Sequence, residues 1–139
     1  MKKLTRFSIS IENSLLKRFE EKIYKKGYKN RSQAIADLIK KDLVKEEWSD
    51  KDKEVAGTIT LVYDHHQKTV LDRLLNLQHN FHKTIISTTH IHLDKENCLE
   101  VLVVKGKPKE IKIMADKLIS IKGIKYGDLS TATTGKNLT

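Results

Sequence analysis

The sequence predicts an α+β protein of two modules, and three observations carry that reading. Residues 5 to 11 alternate apolar and polar, residues 13 to 43 carry apolar stripes at helical spacing, and from Val55 the runs follow in the order βαββαβ. With 139 residues, 38% of them hydrophobic and 32% charged, the chain holds enough apolar material for a core and lacks the signature of disorder. One Cys closes no disulfide within the chain, which excludes a disulfide scaffold and fits a reducing compartment. No run approaches the roughly 18 apolar residues of a membrane span, and the first ten residues lack the apolar stretch of a signal peptide. A cytoplasmic location with no membrane partner is expected.

The first module spans residues 1–46. Phe7, Ile9 and Ile11 alternate with Arg6, Ser8 and Ser10, the period of a half-buried strand. No second strand-like run appears before Val55, so this strand is expected to pair with a second copy of the chain. From Asn13, Leu15 or Leu16, Phe19 and Ile23 recur at helical spacing, and Gly27 stands where a left-handed C-terminal cap belongs. Asn30 with Gln33 reads as a capping box opening a second helix, with Ala34, Ile35, Leu38, Ile39 and Leu43 as its stripe. About 45 residues of strand, helix and helix bury little by themselves, so two chains are expected to share one core.

Residues 47–54 read as a charged linker, with Trp48 as a partly exposed anchor at the end of the second helix in preference to a residue that docks one module on the other. The second module, residues 55–139, then runs strand (55–63), helix (about 67–81), strand (84–93), turn (94–97), strand (98–104), helix from Pro108 and a last strand after Gly123. This order is the ferredoxin-like split βαβ, two helices on one face of a four-stranded antiparallel sheet. Residues 131 to 139 are polar and are expected to fray.

Charge is uneven. Of the net +9, a surplus of seven falls in residues 1 to 31, which makes nucleic acid a fitting partner for the first module. A paired strand would project Arg6, Ser8 and Ser10 from a two-stranded ribbon of the width a major groove accepts. The free backbone N–H groups of Asn30, Arg31 and Ser32 open the second helix, an arrangement suited to phosphate. On these residues and on the run Gly27-Tyr28-Lys29-Asn30-Arg31-Ser32-Gln33-Ala34-Ile35, residues 3 to 46 resemble the ribbon-helix-helix DNA-binding proteins. The resemblance implies that Arg6, Ser8 and Ser10 contact bases and that Asn30, Arg31 and Ser32 clamp backbone phosphates.

The second module carries a metal-binding pattern. His90 and His92, two apart on a strand, leave the same face with Cα atoms roughly 7 Å apart, and the turn at 94–97 returns Cys98 beside them. An imidazole and thiolate set suits nickel, copper or zinc and not magnesium or calcium. His79 is a candidate fourth donor, with His65, His66 and His82 as rivals that pattern alone does not separate.

Gln78-His79, Thr89-His90-Ile91-His92 and Asn97-Cys98-Leu99-Glu100, behind such an N-terminal module, resemble the NikR family of nickel-responsive transcriptional regulators over nearly the whole chain. The resemblance implies an ACT-type regulatory domain. His90, His92 and Cys98 of one subunit and His79 of a neighbour would bind one Ni(II) per subunit in a square plane, and Tyr63, Gln78 and Glu100 would orient the ligands. It further implies a homotetramer, a dimer of dimers, that binds a double-stranded DNA operator and represses nickel uptake genes, and no enzymatic activity. Some members have a Glu and an Asp one turn apart at the start of the second helix, forming a further cation site. This chain has Gln33 and Asp37 there, and Gln33 reads as a cap. The alternative is a regulator whose ACT-like domain senses an amino acid or another metal.

Overall fold

The structure is a computed structural model of one chain and describes residues 2–138. Its elements are α1 (Asn13–Lys25), α2 (Arg31–Ser49), β1 (Val55–Asp64), α3 (Lys68–Asn80), β2 (Ile85–His92), β3 (Asn97–Gly106), α4 (Pro108–Ile119) and β4 (Ile124–Thr131). They divide into two compact units, one ending at Lys41 and one beginning at Asp42.

In the first unit, α1 closes as its sequence requires. Gly27 takes φ +89°, Tyr28 N–H donates to the Ile23 carbonyl and Gly27 N–H to that of Tyr24, the paired bonds of a Schellman cap. Asn30 Oδ1 accepts from the Gln33 backbone N–H at 2.9 Å and caps α2. Asp37 accepts from the Tyr28 hydroxyl at 2.6 Å, and Arg31 pairs with Glu20 at 3.1 Å. Residues 5–11 differ from expectation: they form no strand. A strand needs a second edge to bond to, and the expected edge is that of a second copy, which a single chain does not supply. Phe7 and Ile9 are accordingly 67% and 61% exposed, and Leu15, Leu38, Ile39 and Leu43 also stand open.

The second unit contains an antiparallel sheet of order β2-β3-β1-β4. Alternate residues of β1 (Val55, Ile59, Leu61, Tyr63) and of β3 (Cys98, Leu102, Val104) are buried on one face. There they join Val70 and Leu74 of α3 and Ile111, Met114, Ala115 and Leu118 of α4 in a single core. The α+β class and the βαββαβ order expected from the sequence are therefore found here.

Two expectations are corrected. Residues 47–49, read as linker, continue α2, and Trp48, read as partly exposed, is 5% exposed. Its indole N–H donates to the Ala132 carbonyl at 2.8 Å, and its ring lies over Gly57. The polar tail, read as frayed, is bonded from its start. Ala132 N–H donates to the Ala56 carbonyl, Thr133 Oγ1 to Glu47 Oε2 at 2.9 Å, and Gly135 N–H to Thr133 Oγ1.

Candidate metal centre

Strand register assembles the candidate ligands. β2 pairs with β3 so that His92 faces Cys98 and His90 faces Glu100, while β1 places Tyr63 on the other side of Cys98 and Leu61 beside Glu100. Directly paired residues point to the same side of a sheet, so His90, His92, Cys98, Glu100 and Tyr63 share one face. The turn that sets this register is held by Asp94, whose Oδ1 accepts from the backbone N–H groups of Asn97 at 2.7 Å and Glu96 at 2.9 Å. Those bonds, that from Asn97 first, hold its carboxyl down to about 2.

His90 and His92 are exposed, with ring centroids 5.5 Å apart, and Tyr63 meets the His90 ring edge-on at 6.0 Å. Cys98 is buried and donates its thiol hydrogen to the Tyr63 carbonyl at 3.4 Å. Burial pushes the thiol above its ordinary range, a shift the Tyr63 hydrogen bond opposes and the nearby carboxylate of Glu100 reinforces.

Beneath the histidines lies a buried network. The Tyr63 hydroxyl donates to Glu100 Oε2 at 2.7 Å, and Gln78 Nε2 donates to Glu100 Oε1 at 3.0 Å. Both carboxylate oxygens are thus engaged. Burial and the carboxylate keep the Tyr63 hydroxyl protonated far above its usual range. Because Gln78 lies on the last turn of α3, the network ties to the sheet the helix end that carries His79. His79 itself is exposed, its nearest ring that of His82 at 6.1 Å.

Among the described residues of this one chain, no three His, Cys, Asp or Glu side chains converge to hold a metal. His90, His92 and Cys98 stand in one strand register, and His79 lies on the last turn of α3. Of the rival donors, His65 lies closest, its ring 4.6 Å from that of His92 and 4.2 Å from that of His66. Its Nδ1 is buried with no hydrogen-bond partner among the described residues. Two open imidazoles, a thiol between strands and an orphaned ring nitrogen fit a borderline metal ion. The residues expected to meet DNA, Arg6, Ser8, Ser10, Asn30, Arg31 and Ser32, are all exposed, and the last three open α2.

Comparison with known proteins agrees with this chemistry. The family described as the NikR C-terminal nickel-binding domain matches residues 56–132. Relatives provisionally named nickel-responsive regulators include one from Pyrococcus horikoshii, 53% identical over 97% of this chain and 98% of its own length. Another, from Thermococcus onnurineus, is 51% identical over 98% of this chain and 99% of its own, and one from Nitratidesulfovibrio vulgaris is 48% identical over the full length of both. Among solved structures, the uncharacterized protein TM1266 from Thermotoga maritima shares the fold with a TM-score of 0.53 at 20% identity, over 58% of this chain and all of its own. With about half its residues identical to these relatives over at least 97% of its length, and the family match over residues 56–132, the chain belongs to the nickel-responsive regulators, a family of regulators and not of enzymes.

Proposed function

We propose that this chain is a cytoplasmic, nickel-responsive repressor of nickel uptake genes that binds one Ni(II) per subunit and, when loaded, grips a double-stranded DNA operator as a homotetramer. The observation that carries the reading is the register that sets His92 against Cys98 and His90 in the same row, above the Tyr63–Glu100–Gln78 network. His90, His92 and Cys98 of one chain and His79 of a neighbour would hold the ion. Bound there, it supplies a cross-link between subunits. The chain's own part is to present the imidazoles, to give up the Cys98 proton, and to hold the end of α3 through Gln78.

The N-terminal unit supports the DNA half of the reading. Its basic surplus, the open apolar residues Phe7, Ile9, Leu15 and Leu38, and the capped start of α2 fit residues 1–46 as a ribbon-helix-helix module that becomes complete only as a dimer. Residues 55–139 then form the ACT-type sensing and tetramer-forming part. A ligand shifts an equilibrium only by its differential affinity for the two states, and a swing from 1:99 to 99:1 needs about 5.5 kcal/mol, within reach of a transition-metal site. Tying two DNA-binding dimers into one pose makes the second half-site nearly intramolecular, so affinity rises without new base contacts.

The test is duplex affinity with and without nickel, using duplexes selected from a random pool by the nickel-loaded protein. Nickel is expected to tighten binding by about 100-fold, and Arg6→Ala to weaken binding to the selected sequence. Equal affinity with and without nickel would contradict the proposal.

A further inference from the structure

One cluster of the second unit has no part in the nickel site or the DNA face. It sits where α2 ends. Glu47 and Trp48, 6% and 5% exposed, are held by the segment that follows β4. The indole N–H donates to the Ala132 carbonyl at 2.8 Å, and the Thr133 hydroxyl donates to Glu47 Oε2 at 2.9 Å. Lys112 of α4 donates to the Trp48 carbonyl at 3.3 Å, satisfying an acceptor that the end of a helix leaves open. Gly57 completes the seat. A Cβ there would stand 2.7 Å from the Ser130 carbonyl oxygen and 3.3 Å from Trp48 Cζ2, so only glycine lets the ring and the β4 backbone approach β1 this closely.

Packing alone does not explain this chemistry. A Leu at position 48 and an apolar residue at 47 would fill a core without burying a carboxylate. A hydrogen-bonded seat, unlike an apolar contact, fixes the rotation of a helix end as well as its depth. The helix in question is shared. α2 opens at Arg31 in the first unit and closes at Ser49 in the second, with the division between the units at Lys41 and Asp42, inside it. The seat is also continuous with the metal-binding pattern through one strand. Gly57 and Tyr63 lie on the same face of β1, about 20 Å apart along it, and Tyr63 pairs with Cys98 and bonds Glu100.

We propose that Glu47, Trp48 and the tail residues Ala132 and Thr133 form a joint that couples the nickel site to the DNA-reading unit by fixing where and at what rotation α2 leaves the sensing unit. The proposal rests on the functional reading above. In it, Trp48 and Thr133 are positioning residues that touch neither metal nor DNA. They make the C-terminal end of α2 part of the sensing unit, so that a change in that unit acts on the helix whose start opens the DNA-reading unit.

The test uses the full-length protein, wild type, Trp48→Phe and Thr133→Val. Trp48→Phe keeps a ring and removes the indole donor, and Thr133→Val removes the one hydroxyl that bonds Glu47. Two quantities are read on each: nickel affinity from the thiolate absorption band, and the ratio of affinities for the selected duplex with and without nickel. The joint predicts nickel affinity within about twofold of wild type and a nickel-dependent enhancement reduced by about tenfold or more. Metal-free DNA binding should be unchanged. Should Trp48→Phe fail to fold, Thr133→Val decides alone. A folded variant that keeps the full enhancement overturns the joint, as does one in which nickel affinity and enhancement fall together, the mark of a merely structural role. A wild-type protein whose duplex affinity ignores nickel overturns the functional reading and the joint with it.

Discussion

Cys98 meets two opposed demands. Buried between strands, its thiol is held above the ordinary range, so it is protonated at neutral pH, yet a nickel ligand must be thiolate. Metal therefore competes with a proton, and nickel affinity should rise with pH, by up to about tenfold per unit while the thiol remains protonated. A nickel titration at pH 6, 7 and 8 checks this, and a flat profile would mean that Cys98 does not bind the metal. Tyr63 and Glu100 make a second residue-scale case. Tyr63→Phe deletes one of the two donors to a buried carboxylate, so it should cost about 1–3 kcal/mol in denaturant unfolding and weaken nickel binding by loosening the ligand row. The His90, His92 and Cys98 row was legible in the sequence because strand period and a tight turn are local. The family resemblance implied a role for Tyr63, Gln78 and Glu100, but only strand register and the placing of α3 against the sheet bring them together, 37 and 22 residues apart. His65 stood among the rival donors, and its closeness to His92 follows from the β1–α3 loop folding over the β2–β3 turn, where His65 N–H donates to the Glu96 carbonyl.

At the scale of elements, the β2–β3 hairpin depends on Asp94, which accepts three bonds from Glu96 and Asn97. Its carboxyl titrates at about 2 in the folded chain against an ordinary 3.8, so its stabilisation is present above pH 4 and is lost as pH falls toward 2. Asp94→Ala should lower the melting temperature at pH 7 and flatten the decline between pH 4 and 2, measured by circular dichroism. An unchanged acid limb would show that other carboxylates control it. Helices α1, α3 and α4 were readable because each carries a local apolar period, with the Gly27 cap after α1 and Pro108 at the start of α4 as further local signals. The end of α2 was not. Charged residues surround Trp48, and its indole is held by a carbonyl 84 positions away, a contact that no local pattern encodes.

For the whole molecule, the N-terminal strand is the clearest case of sequence outrunning a single chain. Its alternation is unambiguous, yet the partner edge proposed for it lies on another copy, and in the single chain residues 5–11 form no strand and Phe7 and Ile9 stand open. Phe7→Glu should abolish DNA binding while leaving the nickel absorption band intact, since the two functions are assigned to different units. The proposed sharing of the site between chains makes a second prediction. His79→Ala and Cys98→Ala proteins should each lack the native site, but mixed oligomers should regain it at about one site in four when chains pair at random. No recovery on mixing would place all the ligands within one chain.

The central claim is a nickel site built from His90, His92 and Cys98 and completed by His79, and absorption titration of the metal-free protein with Ni(II) tests it most directly. The account predicts a thiolate-to-nickel charge-transfer band that saturates at one ion per chain, is absent in Cys98→Ala, and is altered in His79→Ala. A wild-type protein that shows no such band, or a Cys98→Ala protein that keeps it, would contradict the account.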